Sequence, residues 1–340
     1  MQTHVSGKSA ILALVIVAVF LVSWELFLRH KGVVADFDDG PELWAHVRDQ
    51  AYQPSDKAVV FIGSSRIKYD LDIETWESLT HTHAVQLAMV ASSPRHILTN
   101  LADDPKFKGR LVVDVTEVLF FNRMRGNDYP DAGISYYKGI TPAQRASFYL
   151  DRHIENRLAF LNEGHYAINA MLGEMHIPDR PMVYPFLDFP MGFDITRYNR
   201  QNVMNDDFIA DTNQHNQVKA IWALLRMDPT PPTTGKPLDT IMNSVVRDVA
   251  KIKARGGDVV FTRTPSNGFF LDAEHHMYPR EAYWDRLLKE TGCQGFYYAD
   301  DPVTAKLVCP ELSHLTPKDA VTYTTALVSL LKQNKALGFQ

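Results

Sequence analysis

From Ser9 to Trp24 the chain runs SAILALVIVAVFLVSW without a charge, and Leu26, Phe27 and Leu28 carry the apolar stretch past a single Glu25. Residues 9–28 as a helix rising about 1.5 Å per residue just match a bilayer core of about 30 Å. Lys8 flanks one end, and Arg29, His30 and Lys31 the other. A cleaved leader would end in a small-x-small site, but Ser23 is followed by Trp24, Glu25, Leu26 and Phe27. The expectation is an uncleaved signal anchor over residues 1–31, with Trp24 at the membrane interface. The near-balanced flanks decide orientation weakly. Sidedness rests on the lack of a second such run: a single-pass protein of the cytoplasmic (inner) membrane, its 32–340 domain extracytoplasmic (periplasmic).

Downstream, the pattern becomes one of short continuous apolar runs between helical stripes. Lys57-Ala-Val-Val-Phe-Ile-Gly63, Arg110-Leu-Val-Val-Asp-Val-Thr116 and Gly257-Asp-Val-Val-Phe-Thr-Arg263 read as buried parallel strands, and Gly295 to Ala299 as a fourth. Pro41 to Gln50 predicts a short helix, and Ile241, Val245, Val249 and Ile252 stripe another from Leu238 to Arg255, with Asp239 as N-cap and Gly256-Gly257 as stop. Thr316-Pro317-Lys318-Asp319 opens a last helix. Strands alternating with helices predict an α/β fold, an open parallel sheet with flanking helices. A stretch at about 122–235 does not alternate and is expected to be a helical or irregular insertion. In it, Thr141 and Gln144 cap a helix running to about Glu163, and Tyr184, Phe186, Phe189, Phe193 and Tyr198 crowd a Pro-rich segment. Those aromatics are either packing or a substrate-facing cap.

Composition narrows the function. Across 340 residues, Lys+Arg 35 against Asp+Glu 40 leaves a net charge of -5, with no basic excess to hold a phosphate backbone, so nucleic acid is not an expected partner. Without the anchor segment's Lys8, Arg29 and Lys31 against Glu25, the remaining domain is more acidic still. Asp36, Asp38 and Asp39 suggest a calcium loop, but Val47 stands where its bidentate Glu belongs, so a solvated turn is expected. His275-His276 lack a spaced third ligand, and neither a metal nor a cofactor is called for. Cys293 and Cys309 flank the last strand and the His loop, and an oxidising compartment would let them close a disulfide.

Chemistry concentrates at two distant points. Gly63-Ser64-Ser65-Arg66 follows the first strand, where open α/β sheets bind ligands. Cys309-Pro-Glu311-Leu-Ser-His314 precedes the last helix. A carboxylate three residues before a His can fix its tautomer, so that Nε2 serves as general base to a serine. Arg66 and Arg263, near strand ends, are candidates for holding an anionic substrate.

Together these blocks resemble the SGNH (GDSL-like) hydrolase superfamily, which implies a flavodoxin-like three-layer fold. The resemblance makes Ser65 the nucleophile, His314 the base and Glu311 the acid, Glu replacing the usual Asp. It implies an oxyanion hole of the Ser65 and Ala91 N–H groups, Ala91 standing in a glycine position. Thr116 is expected to substitute for the family's Asn. The anchor and the Gly-Ser-Ser block look like the membrane-anchored branch serving cell-envelope acylation, of the teichoic acid D-alanylation and alginate O-acetylation type. This implies a serine O-acyl (acetyl) transferase or esterase acting on a surface or exported glycan, partnered by a membrane-bound O-acyltransferase. The alternatives are a non-catalytic anchored glycan-binding or scaffold partner of that acyltransferase and, from the anchor alone, a lipid-surface esterase.

Overall fold

A computed structural model describes residues 7–33, 35–123, 127–161, 189–225 and 231–339. The chain forms two compact units, Met1–Asp38 with Thr141–Phe186, and Asp39–Ile140 with Leu187–Gln340. The stretch expected as one insertion is thus divided between them. Of that stretch, Glu163, Tyr184, Phe186 and residues 226–230 lie outside the described residues.

In the first unit, α1 (Gly7–His30) is, among the described residues, the one helix long and apolar enough to cross a membrane. Its Glu25 is buried, and the carboxylate accepts the N–H groups of Ala159 (3.1 Å) and Phe160 (3.2 Å) as well as Arg29 Nε (2.7 Å). Arg29 Nη2 also donates to the Arg157 carbonyl at 2.6 Å. Leu28, Val33 and Ala159 pack into a small apolar cluster. The helix Pro142–Asp151 starts with the capping box of Thr141 and Gln144. It stops at Asp151, well short of Glu163, and single 3₁₀ turns follow at Glu155–Arg157 and Ala159–Leu161. Glu25 takes amides that a continuous helix would have bonded internally.

The second unit is built on a five-stranded, all-parallel sheet in the order β2-β1-β3-β6-β7, from β1 (Ala58–Ile62), β2 (His83–Gln86), β3 (Arg110–Asp114), β6 (Asp258–Arg263) and β7 (Gln294–Tyr297). A separate two-stranded antiparallel pair is formed by β4 (Ile195–Thr196) and β5 (Asn202–Val203). β1 is buried throughout, as its unbroken apolar run requires of a central parallel strand. Strand β2, with only Ala84 and Val85 apolar, is too short and polar to announce itself.

The flanking helices relevant to the site are α2 (Pro41–Asp49), α3 (Ser65–Asp70), α4 (Ile73–Thr80), α5 (Arg95–Asp103), α6 (Thr212–Leu225), α7 (Gly235–Ala254), α8 (Gly268–Met277) and α9 (Pro317–Gln333). Helices α5 and α7 pack together, and α9 packs on α3 and α4. α7 begins before the expected Asp239 cap, because Pro237 is tolerated in a first turn; Asp239 pairs with Arg286 at 2.7 Å. Nor is Asp39 in a solvated turn: its carboxylate holds Arg200 (2.6 Å) and the buried Lys68. Burial opposes that charge, but Arg200 and Lys68 outweigh it and hold the carboxyl below its ordinary range.

Candidate active site

At the carboxyl end of β1 the backbone passes Gly63, where a Cβ would lie 2.7 Å from the Asp114 Cβ and 2.6 Å from Ile67, so only glycine fits this approach. Ser64 then caps α3, its hydroxyl accepting the Arg66 N–H, and Ser65 becomes the first residue of that helix. The Ser65 amide therefore has no partner four residues back in its own helix.

The loop before α9 supplies the other half. His314 Nε2 lies 2.9 Å from Ser65 Oγ, and His314 Nδ1 lies 3.0 Å from Glu311 Oε1. The same oxygen accepts the N–H groups of His314 (2.5 Å) and Ser313 (3.2 Å). Leu312 between them adopts φ 85°, a left-handed conformation costly for a side chain. That turn lets the Glu311 side chain fold back on the amides that follow it. The Trp222 indole N–H, from α6, donates to Glu311 Oε2 at 2.5 Å. Glu311 and His314 are both buried. Burial disfavours the Glu311 charge, yet the imidazole of His314 and the bonds from His314 and Trp222 outweigh it, so the carboxyl sits below its ordinary range.

Aromatic rings surround the imidazole: Tyr69 at 4.4 Å between centroids, Phe193 at 5.8 Å and Trp222 at 6.1 Å. Phe189 packs on both Phe193 and Trp222 at 5.3 Å. Of the aromatics singled out by sequence, Phe189 and Phe193 thus line the His314 side, whereas Tyr198 turns away and bonds His46 at 2.7 Å. Trp222 was not foreseen, since it stands among apolar residues at the end of α6 and reads there as ordinary packing.

Ala91 follows β2 in a loop laid alongside β1 by bonds from Leu87 N to Phe61 O (2.8 Å) and Met89 N to Gly63 O (3.2 Å). It adopts φ 49°, a region suited to the glycine of the family pattern. Asn127, also unforeseen, staples this turn: its amide donates to the Val90 carbonyl (3.1 Å), and its Oδ1 accepts the Ser92 hydroxyl (2.5 Å). Thr116, expected at the oxyanion hole, has its hydroxyl engaged within the fold. Its hydroxyl is shared with Ser64 Oγ (2.7 Å) and Asp114 Oδ2 (3.4 Å), so it props the loop under Ser65.

Two buried carboxyls underlie these loops. Asp70 Oδ1 accepts the Leu315 N–H at 2.9 Å, and burial pushes the Asp70 carboxyl well up. Burial likewise raises Asp114 to about 6, against the pull of Arg66 and the bonds from Thr264.

Arg66 and Arg263 are corrected from substrate-binding to scaffold. Arg66 Nη2 pairs with Glu274 at 2.5 Å, and Arg66 Nε donates to Ser313 Oγ at 3.3 Å. Arg263 bridges Glu274 and Glu117, the latter at 3.1 Å. Both guanidiniums are buried and neutralised by these acids, so the cluster ties α8 and β6 to the Ser65 and His314 loops. The disulfide is corrected too: Cys293 and Cys309 are free thiols. Cys293 precedes β7, while Cys309 faces Pro265 O (3.7 Å), beyond the far end of the parallel neighbour β6. A strand's length of about 3.3 Å per residue separates them, beyond disulfide reach. Among the described residues no group of three metal-ligating side chains occurs. No family model matches this chain, and no curated protein is significantly similar to it.

Proposed function

We propose that the protein is a membrane-anchored serine enzyme of the SGNH type that transfers or hydrolyses O-acyl groups, acetyl above all, on a surface or exported glycan outside the cytoplasmic membrane. The observation that carries this reading is the continuous relay from Ser65 Oγ through His314 to Glu311, with Nε2 at 2.9 Å from the hydroxyl. A serine hydroxyl needs such a base to attack a carbonyl at neutral pH. In this mechanism Ser65 Oγ attacks the acyl carbonyl while His314 Nε2 takes its proton. Glu311 orients the imidazole and balances its charge. Collapse of the tetrahedral adduct passes the proton from His314 to the departing alcohol. Water or a sugar hydroxyl then attacks the acyl-serine, with His314 again as base. The Ser65 and Ala91 amides hold the oxyanion; the left-handed Ala91 turn and its position beside Gly63 support that assignment.

The second reading is a non-catalytic glycan-binding or scaffold partner of a membrane-bound O-acyltransferase. What favours it is the Thr116 hydroxyl, which is engaged with Ser64 and Asp114 where a third oxyanion donor would be needed. The two readings separate on acetyl-ester turnover by the purified full chain and on the O-acetyl content of the exported polymer in cells carrying Ser65→Ala. The enzyme reading expects turnover that the substitution abolishes and a polymer whose acetylation changes. An unchanged polymer, with no turnover by the intact protein, would leave the binding role.

A further inference from the structure

The first unit holds a surface that the catalytic reading does not use. Around the helix Pro142–Asp151, which buries none of its residues, Tyr149 is 51%, Leu150 72% and Ile154 47% exposed. Apolar side chains so exposed within a few residues of one another call for a partner. The same segment carries Arg145, Arg152 and Arg157 against Asp151 and Glu155, with the Arg152 guanidinium over the Tyr149 ring at 4.4 Å.

Residues 157–160, directly after this segment, are held to α1. Glu25 receives the Ala159 and Phe160 amides, Arg29 holds the Arg157 carbonyl, and Leu28 packs on Ala159. At about 1.5 Å per residue, Glu25 lies within about 5 Å of Leu28, the end of the apolar run in α1. The chain just before Ala159 is thereby pinned where α1 leaves the apolar layer. Tyr favours that level, and arginines beside apolar side chains suit a headgroup region carrying phosphates.

We propose that residues 148–154 form a second membrane contact, with Tyr149, Leu150 and Ile154 entering the headgroup layer of the bilayer that α1 crosses. The inference rests on reading α1 as a span, and it adds a shallow foot that limits how the anchor segment can tilt. The partner is the lipid surface itself, because the clamp at residues 157–160 ties the chain just after the segment to a helix whose side chains are exposed from Gly7 to Ser23. An element of this kind sinks about 5–10 Å into the interface.

The test uses the full chain carrying Cys293→Ser and one added cysteine bearing an environment-sensitive fluorophore, at Leu150→Cys, Phe20→Cys or Val303→Cys. The protein is reconstituted in phosphatidylcholine vesicles containing a minority of phosphatidylglycerol. The expected result is a blue-shifted label at 150, quenched more by shallow than by deep nitroxide lipids. Position 20 should be quenched by the deep ones, and 303 by neither. Ile154→Glu should return the label at 150 toward the spectrum at 303. A label at 150 matching 303, with 20 in lipid, overturns the foot and leaves the anchor standing. A solvent-like label at 20 overturns the anchor reading, and the foot with it. A blue shift at 150 only when another membrane protein is reconstituted alongside also overturns the proposal, in favour of a protein contact.

Discussion

The two loops that meet at Ser65 are built differently, although each contains a residue forced into the left-handed region. In the loop before α9, Leu312 at φ 85° sits among bonds that overdetermine it: the buried Glu311 is held by the His314 and Ser313 amides, the imidazole and the half-buried Trp222 indole. In the loop after β2, Ala91 at φ 49° is exposed and rests on Asn127 and two backbone bonds. The His314 loop is densely bonded and the Ala91 loop sparsely; on the proposed function these are the base side and the oxyanion side. Acid–base function should therefore be hard to perturb without removing a member of the relay, whereas oxyanion geometry should respond to small changes in one turn.

The largest effect expected is from breaking the relay. Ser65→Ala or His314→Ala should lower acyl turnover by about 10⁴-fold or more, read as kcat on an acetyl ester. Stability should change little for Ser65→Ala, since its hydroxyl is only half-buried.

Next comes the buried carboxyl at the end of β3, beside Gly63 and bonded by Thr264. Asp114 has its pKa raised to about 6 in the fold from an unperturbed 3.8, so the folded state binds more protons between these values. Its contribution is most favourable below about pH 4 and is lost as pH rises through about 6, a loss of about 3 kcal/mol by pH 7. Asp114→Asn, which keeps an acceptor for the Thr264 amide and hydroxyl, should therefore raise stability at pH 7 and flatten its pH dependence between about 4 and 6. Denaturant melts across that range check this, and an unchanged slope would contradict it.

Trp222→Phe keeps a ring beside His314 but removes one N–H bond to a buried carboxylate, worth about 1.5–3 kcal/mol. The expected result is a kcat lowered about 10- to 100-fold with the melting temperature falling by a few degrees. A variant with wild-type kcat would show that Trp222 only packs.

The smallest effects test the comparison itself. Ala91→Gly relieves the left-handed strain and retains the amide, so stability should rise by up to about 1 kcal/mol with kcat unchanged. Leu312→Gly relieves the same kind of strain but loosens the turn that returns Glu311 to its amides, so kcat should fall. Equal behaviour of the two variants would erase the distinction between the loops.

Much of this arrangement is legible in the sequence because it is local. The central strands announce themselves as unbroken apolar runs, and Glu311 to His314 is a spacing within one loop. The roles that were misassigned depend on partners far along the chain. Arg66 and Arg263 near strand ends invite a substrate role, and only the convergence of Glu117 and Glu274 reveals them as scaffold. The Thr116 hydroxyl is engaged by Ser64, 52 residues earlier in the chain. Cys293 and Cys309 flank a strand already legible in the sequence, but that this strand carries them to opposite ends of the sheet shows only in its pairing with β6. Trp222 and Asn127 carried no pattern at all, because each acts through one polar group delivered by tertiary packing.

The central claim is that Ser65 is a nucleophile activated by His314. Its most direct test is reaction of the purified protein with a serine-directed phosphonate, read by peptide mass spectrometry. The relay predicts a single adduct on Ser65, formed by the wild type and lost in His314→Ala while the fold persists. A correctly folded wild type that forms no adduct, or an adduct on Ser65 formed equally fast in His314→Ala, would contradict it.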